Sequence, residues 1–423
     1  MGINDHFFEL GGHSLKATQL VSKAHKELNM EIPLSEMFNS PTIKGISRFL
    51  ESVEQADYVE IKPAAKKDVY KASSAQKRMY LLQQFDPKNT GYNMPVILEA
   101  EGLIDVERVQ EVLNQLIVKH ESLRTSFGTE GEEIVQRIHE EVSLNLDLID
   151  MSKLDSSEDK INEKIKSFIE PFDLSLAPLI RVKILKLEHS RHLIMFDIHH
   201  AISDGLSMNI LVQEFMHLYG GGALSELKVQ YKDYTEWQNE LFHTESMRKQ
   251  EKYWLEQFSQ EVPTLNLYTD YTRPSIQSFE GKRIGYKIDK TLTQQLKQLA
   301  RKTNTTMYMV LLSGINILLS KYSDQEDIII GTPVAGRTHV DLHPIIGMFV
   351  NTLAMRNRPV ANKVYADFLQ EIKENALKAY ENEGYPFEEL VNQLNLRRDT
   401  SRNPLFDVMF TMDNIENTEI QIN

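Results

Sequence analysis

The sequence predicts a mixed α/β protein in which a small all-helical unit precedes two larger α/β lobes. Three observations predict it. Residues 1 to about 54 carry helical periodicity and helix-start signals. Residues 55–68, QADYVEIKPAAKKD, mix charge, proline and alanine without sustained periodicity, as an exposed linker does. From Val69 onward, strand-like runs alternate with helical ones, and 423 residues are enough for two or three domains.

In the first unit, Ala17, Leu20, Val21, Ala24 and Leu28 fall on one helical stripe behind ELGGHSL, which predicts a helix over 14–28 with Ser14 at its N-terminus. A serine there is either an ordinary cap or a hydroxyl placed where unpaired N–H groups and the helix dipole favour a phosphate. Gly11 and Gly12 are expected to keep the approach to that hydroxyl open. A short turn spans Leu34 to Phe38, and Ser40-Pro41 reads as the start of a further helix. The larger part offers strands at 95–102, 133–139, 179–188 and 192–200, with helices near 105–120 and 158–169. A helical, aromatic-rich stretch covers 232–258. Strands at 281–289, 327–334 and 406–412 and helices within 291–320 and 363–382 follow, with the lobes divided near 260–280.

Composition narrows the function. A formal charge of −14, with no basic run interleaved with aromatics, argues against nucleic acid as a partner. The chain has no cysteine, so disulfides, thiolate metal sites and a cysteine nucleophile are excluded, and any thiol chemistry must use an imported thiol. The mean hydropathy is −0.37. The most apolar run, Thr306 to Tyr322, is shorter than a bilayer span and is broken by Ser313, Gly314 and Asn316, so it reads as a buried core helix. No signal peptide is evident. These features suit a soluble protein of a reducing cytoplasm, without a membrane partner.

The second chemical signal is HHAISDG, His199 to Gly205, at the end of the strand HLIMFDIHH. Successive strand residues face opposite sides, so His199 sides with Asp197, and His200 with Ile194, Phe196 and Ile198. An imidazole at a strand end beside a tight loop is how a base is held against a cavity; the competing reading is a buried, hydrogen-bonded core histidine. Zinc is disfavoured, because adjacent strand histidines splay apart and no HExxH pattern is present. Asp204 reads from sequence alone as a surface aspartate capping a helix that begins near Leu206, and Gly205 as a turn glycine.

GGHSL and HHAISDG, in this order and across this linker, resemble a carrier protein followed by a condensation domain of a nonribosomal peptide synthetase. SSAQKRMYLL (73–82), KHESLRTSF (119–127), HHAISDG, YKDYTEW (231–237), IGMFVNTLAMR (346–356), YPFEEL (385–390) and RDTSRNPL (398–405) each resemble a core motif of the condensation family, in the family's order. The resemblance covers nearly the whole chain. It implies a carrier over 1–54 that lacks the first helix of its four-helix bundle, a linker over 55–68, and a condensation domain over 69–423. The latter would comprise two chloramphenicol-acetyltransferase-like lobes in a V shape, 69–265 and 266–423, with the second continuing beyond Asn423.

The resemblance also implies the chemistry. Ser14 would carry 4′-phosphopantetheine, attached by a phosphopantetheinyl transferase, whose thiol bears an aminoacyl or peptidyl thioester. His200 would be the active-site histidine for aminolysis of that thioester by a downstream aminoacyl thioester, with His199, Asp204 and Gly205 in the same motif and no metal. Asp204 is expected to pair with Arg337, and Arg78, like Arg124, Asn351 and Arg402, is expected to be architectural. GGHS, rather than GGDS, implies an L-configured donor and an LL-type domain. Expected partners are an upstream adenylation domain and downstream adenylation and carrier domains of the same synthetase. An epimerization domain, an acyltransferase using soluble coenzyme A and a silent carrier-docking module are the competing readings; YPFEEL and RDTSRNPL oppose the first, the attached carrier the second, and the intact His200 and Asp204 the third.

Overall fold

A computed structural model describes residues 2–55, 58–152, 157–278, 280–396 and 399–412, without the side chains of Ser14 and Leu15. The described chain divides into two compact units. One comprises residues 2–59, 243–340 and 350–412, and the other residues 60–242 and 341–349.

The first unit opens with α1 (Ser14–Leu28), which begins at the expected serine and ends on Asn29 in the left-handed region, φ 51°. Gly11 has φ +89°, a conformation that only glycine adopts freely. Gly12 has a packing reason: a Cβ there would lie 2.4 Å from the Phe7 ring. After α2 (Leu34–Asn39), α3 (Ile43–Leu50) is capped by Thr42, whose Oγ1 accepts from the Gly45 amide at 3.0 Å. The start expected at Ser40-Pro41 is therefore early, because it is the threonine that reaches the third helical amide. Ala17, Leu34, Met37 and Phe38 join Tyr308, Met309, Leu312, Phe368 and Ile372 in one core of this unit. Phe38 is thus a core residue.

The second unit follows with β1 (Tyr70–Lys71), α4 (Ser74–Phe85), β2 (Asn93–Glu101), α5 (Val106–Lys119), β3 (Thr125–Glu130), β4 (Glu133–Ile138), β5 (Leu146–Asp150), α6 (Glu158–Phe168), β6 (Ile180–Glu188), β7 (Arg191–His199), α7 (Gly205–Tyr219) and α8 (Tyr231–Leu241). Its main sheet runs β2-β7-β6-β5, and β1-β4-β3 form a smaller one. β7 is central and buried on both faces except at Arg191, which explains its nearly unbroken apolar sequence. The register sets Asn93 opposite His199, and Arg181 opposite Asp197.

Residues 341–349, distant in sequence, pack into this second unit. Ser122 donates to the Ile346 carbonyl at 2.6 Å, and Tyr231 donates through its hydroxyl to that of Met348 at 2.5 Å. Ser207 donates to the Gly347 carbonyl at 2.9 Å while accepting the Gly347 amide at 3.0 Å. A Cβ on Gly347 would fall 1.9 Å from Tyr231 Cδ2, so the close backbone approach demands glycine.

The first unit resumes with α9 (Glu245–Gln257), α10 (Lys290–Lys302), α11 (Met307–Ser323), β8 (Ile328–Val334), β9 (Asn351–Asn357), α12 (Tyr365–Glu381), α13 (Phe387–Leu394) and β10 (Val408–Met409), with sheet order β10-β8-β9. The helical stretch expected over 232–258 is two helices, because Thr244 caps α9 through the Met247 amide. Thr306 likewise starts α11 afresh after α10. α11 holds the apolar run, and no described helix is long and apolar enough to cross a membrane. The strand expected at 281–289 is absent from the described residues: Ile284, Tyr286 and Ile288 are exposed and the segment joins no ladder. Strand propensity alone does not order a segment without a hydrogen-bonding neighbour. In 406–412 only Val408–Met409 pairs, parallel to Ile330-Gly331, while Phe406 packs over Gly331.

Candidate active site

β7 ends at His199, and His200 opens a single 3-10 turn, so the strand alternation stops between the two histidines. The His200 amide donates to the Tyr92 carbonyl at 2.9 Å, tying the turn to the chain just before β2. Its ring Nδ1 lies 2.8 Å from the Ser203 carbonyl. A carbonyl only accepts, so Nδ1 carries a proton and Nε2 is the ring atom left to accept one. His200 is half-buried, and Nε2 has no hydrogen-bond partner among the described residues. This is the geometry of a base.

His199 differs on each count. It is fully buried, and its Nδ1 accepts the Ala201 amide at 3.1 Å, which places its proton on Nε2. Burial, assisted by neighbouring His200 and Arg181, pushes its pKa down to about 4, so it is neutral at pH 7. It supports the turn. Beside it on the same sheet face, Asp197 is also fully buried, its carboxylate receiving Asn93 at 2.8 Å and Arg181 at 3.1 Å through Oδ2. Burial raises the Asp197 pKa to about 6, outweighing the hydrogen bond from Asn93 and the Arg181 charge.

Asp204 is buried and is the N-cap of α7: Oδ1 accepts the Ser207 amide at 2.7 Å and Oδ2 the Phe349 amide at 3.1 Å. The capping that sequence allowed is therefore real, but it lies in the interior and also anchors the 341–349 segment. Gly205, the first residue of α7, is exposed, and a Cβ there would meet only open space. Gly205 N–H and Leu206 N–H have no hydrogen-bond partner among the described residues, so the start of α7 offers two donors to a developing negative charge.

The remaining expected residues belong to other segments of the chain. Arg337 is buried and belongs to the first unit, and Arg78 is half-buried in α4. Arg124 donates to the His139 carbonyl at 2.6 Å. Asn351 donates to the carbonyls of Glu383 and Tyr385, both at 2.8 Å, and accepts the Phe387 amide at 3.0 Å, which starts α13. Arg402 bonds Asp407 at 3.3 Å; Arg398 lies outside the described residues. Sequence reasoning missed Tyr92, Asn93, Arg181 and Phe349. Tyr92 and Phe349 act at the site through backbone groups, which leave no residue-type signal, and Asn93 and Arg181 become visible only through strand register.

At the other end of the first unit, Ser14 is the first residue of α1 behind His13, which is extended and makes no side-chain cap. The first turn has no acidic residue and contains Lys16, and the space beside Gly11 is open. An uncapped helix N-terminus with a nearby cation fits a phosphodiester. Among the described residues no cluster of histidine, aspartate and glutamate is arranged to hold a metal ion.

The family model for a phosphopantetheine attachment site matches residues 1–50, and that for a condensation domain matches residues 66–423. The chain is 51% identical over 415 residues to gramicidin S synthase 2 of Brevibacillus brevis, covering 98% of this chain and 9% of that protein. It is 49% identical over 422 residues to tyrocidine synthase 3 of Brevibacillus parabrevis, covering 100% of this chain and 6% of that protein. The chain thus spans less than a tenth of the length of these relatives. A solved four-domain nonribosomal peptide synthetase bound to AMP and glycine shares the fold, with a TM-score of 0.76 at 23% identity over 86% of this chain and 28% of that one. With the attachment domain in front and the histidine turn behind it, the chain belongs to the condensation-domain family of nonribosomal peptide synthetases.

Proposed function

We propose that the chain forms peptide bonds in nonribosomal peptide synthesis: the amine of a downstream aminoacyl thioester attacks the carbonyl of an L-configured aminoacyl or peptidyl thioester held by the carrier, the acyl C–S bond breaks as the amide C–N bond forms, and the donor thiol leaves with the proton that the amine loses. The observation that carries this reading is the His200 ring, held through Nδ1 by the Ser203 carbonyl with Nε2 left to accept a proton. A 4′-phosphopantetheine on Ser14 supplies, when bound, the tethered thiol that this cysteine-free chain lacks.

His200 Nε2 accepts or orients a proton of the attacking amine. An α-amino group titrates at about 7.7–8.0, so a fraction is already neutral near pH 7 and the demand on the histidine is modest. General-base help contributes about 10²- to 10⁴-fold, whereas holding both reactants in place reaches effective molarities of about 10⁵–10⁸ M, so positioning dominates. Gly205 N–H, at the positive end of α7, faces the oxygen on which charge develops. Asp204 holds that helix start in place.

The partners are the upstream adenylation domain, downstream adenylation and carrier domains, and a phosphopantetheinyl transferase, all in the cytoplasm. The test is single-turnover condensation with a loaded donor and an acceptor thioester. His200→Ala is expected to slow the step by about 10²- to 10⁴-fold. An unchanged rate removes the base role, and no amide from the wild-type chain removes the reading.

A further inference from the structure

Three buried polar atoms below the histidine turn lack partners among the described residues: Asn93 Oδ1, Asp197 Oδ1 and His199 Nε2. They belong to one sheet face. Asn93 stands opposite His199 in the β2·β7 register, and Asp197 precedes His199 by two residues on the same side of β7. Because His200 and Tyr92 are joined by a hydrogen bond, the neighbouring Asn93–His199 pair is of the non-hydrogen-bonded kind, in which side chains lie closest. Asn93 also bridges diagonally to Asp197, its amide nitrogen lying 2.8 Å from Oδ2.

The hydrogen-bond roles are fixed. Asn93 donates through Nδ2 to two acceptors, the Glu170 carbonyl and Asp197, so its amide orientation is settled and Oδ1 is an acceptor. His199 Nδ1 receives the Ala201 amide, so Nε2 is a donor. Asp197 Oδ1 is an acceptor. Arg181 closes the cluster, with Nη1 on Asp197 and on the Glu170 carbonyl, Nη2 on the Pro171 carbonyl, and its guanidinium 3.6 Å over the Phe172 ring.

One donor and two acceptors, all buried, match the bonding capacity of one water molecule, which accepts once and donates twice. Internal waters typically make about three hydrogen bonds to polar groups that otherwise lack partners. We propose that Asn93, Asp197 and His199 form a binding site for a single internal water. This water accepts the Nε2 proton that the Ala201 amide bond assigns to His199, and ties the ring to Asn93 and Asp197 beneath the turn. The inference stands on these three side chains and holds whether or not the chain forms peptide bonds.

The test is a crystal structure of the whole chain at better than about 1.8 Å, together with ¹⁷O magnetic relaxation dispersion of the wild type and Asn93→Leu. The expected result is one ordered solvent peak within hydrogen-bonding range, about 2.7–3.2 Å, of all three atoms. The leucine variant is expected to lose one long-lived water. A direct contact between His199 Nε2 and either oxygen, or a ring N–H pointing at the Phe172 face with no solvent peak, overturns the proposal. Should Asn93→Leu not fold, the wild-type density alone decides.

Discussion

His199 and Asp197 share one sheet face, are both fully buried, and have pKa values displaced in opposite senses, to about 4 and about 6. Burial penalises imidazolium, so the folded protein binds fewer protons at His199 than the unfolded chain, and this contribution to stability falls as pH drops below 6.5. Burial also penalises the Asp197 carboxylate, so its cost is largest above pH 6 and fades on acidification. The charged group facing Asp197 is Arg181 on β6, and the neutral partner is Asn93 on β2. Linkage from these values makes the His199 cost rise from near zero at pH 7 to about 2 kcal/mol at pH 5, while the Asp197 cost shrinks from about 3 to about 1.5 kcal/mol. The two nearly cancel in the wild type.

Substitution unmasks each. His199→Asn keeps an acceptor for the Ala201 amide but removes the titration, and is expected to gain about 1.5 kcal/mol, relative to its own value at pH 7, on going to pH 5. Asp197→Asn is expected to lose about 2 kcal/mol over the same interval. The chain has two tryptophans, Trp237 in the second unit and Trp254 in the first, so a Trp254→Phe background makes fluorescence report the second unit, which holds both substitutions. Urea denaturation at the two pH values, compared among the three proteins, measures the divergence. Parallel pH responses in all three would refute the assignment of opposing buried charges.

Asp204→Ala removes the α7 cap, about 1 kcal/mol, and leaves the buried Phe349 amide unpaired, about 1–3 kcal/mol. The expected loss of about 2–4 kcal/mol is read from the Trp237 urea midpoint, and a stable but inactive variant would assign Asp204 to the chemistry instead. Gly347→Ala forces a Cβ into Tyr231, with an expected cost near the top of the overpacking range, about 3 kcal/mol; an unchanged midpoint would contradict the close approach. Treatment with a phosphopantetheinyl transferase and coenzyme A is expected to add one phosphopantetheine mass to the wild type and none to Ser14→Ala, and addition to the serine variant would move the attachment elsewhere.

Much of the site was legible before folding. GGHSL and HHAISDG are contiguous, but the alternation expected to set His200 with Ile194, Phe196 and Ile198 ends at His199, and the two rings part because His200 opens a 3-10 turn. Helix 14–28 and the central strand β7 were equally plain, since amphipathic spacing and a long apolar run are local properties. Less legible were elements that depend on a neighbour. The segment 281–289 has strand-like residues but no described ladder, β3 is ordered by pairing despite a polar sequence, β5 is only five residues long, and the start of α3 turned on whether Ser40 or Thr42 reaches an amide.

What the chain by itself determined, then, is the order of its parts and the lack of any cysteine, because both follow from residue type and short-range spacing, while Ser14 and His200 are picked out only by the likeness of GGHSL and HHAISDG to family motifs. Tertiary structure alone decided which ring nitrogen of His200 carries the proton, since that rests on the Ser203 carbonyl. It likewise decided that Asp204 holds Phe349, 145 positions away, and that Asn93, Arg181 and Asp197 meet under His199. Backbone carbonyls and amides are the same at every position, and strand register joins distant segments, so neither leaves a mark in the residue types.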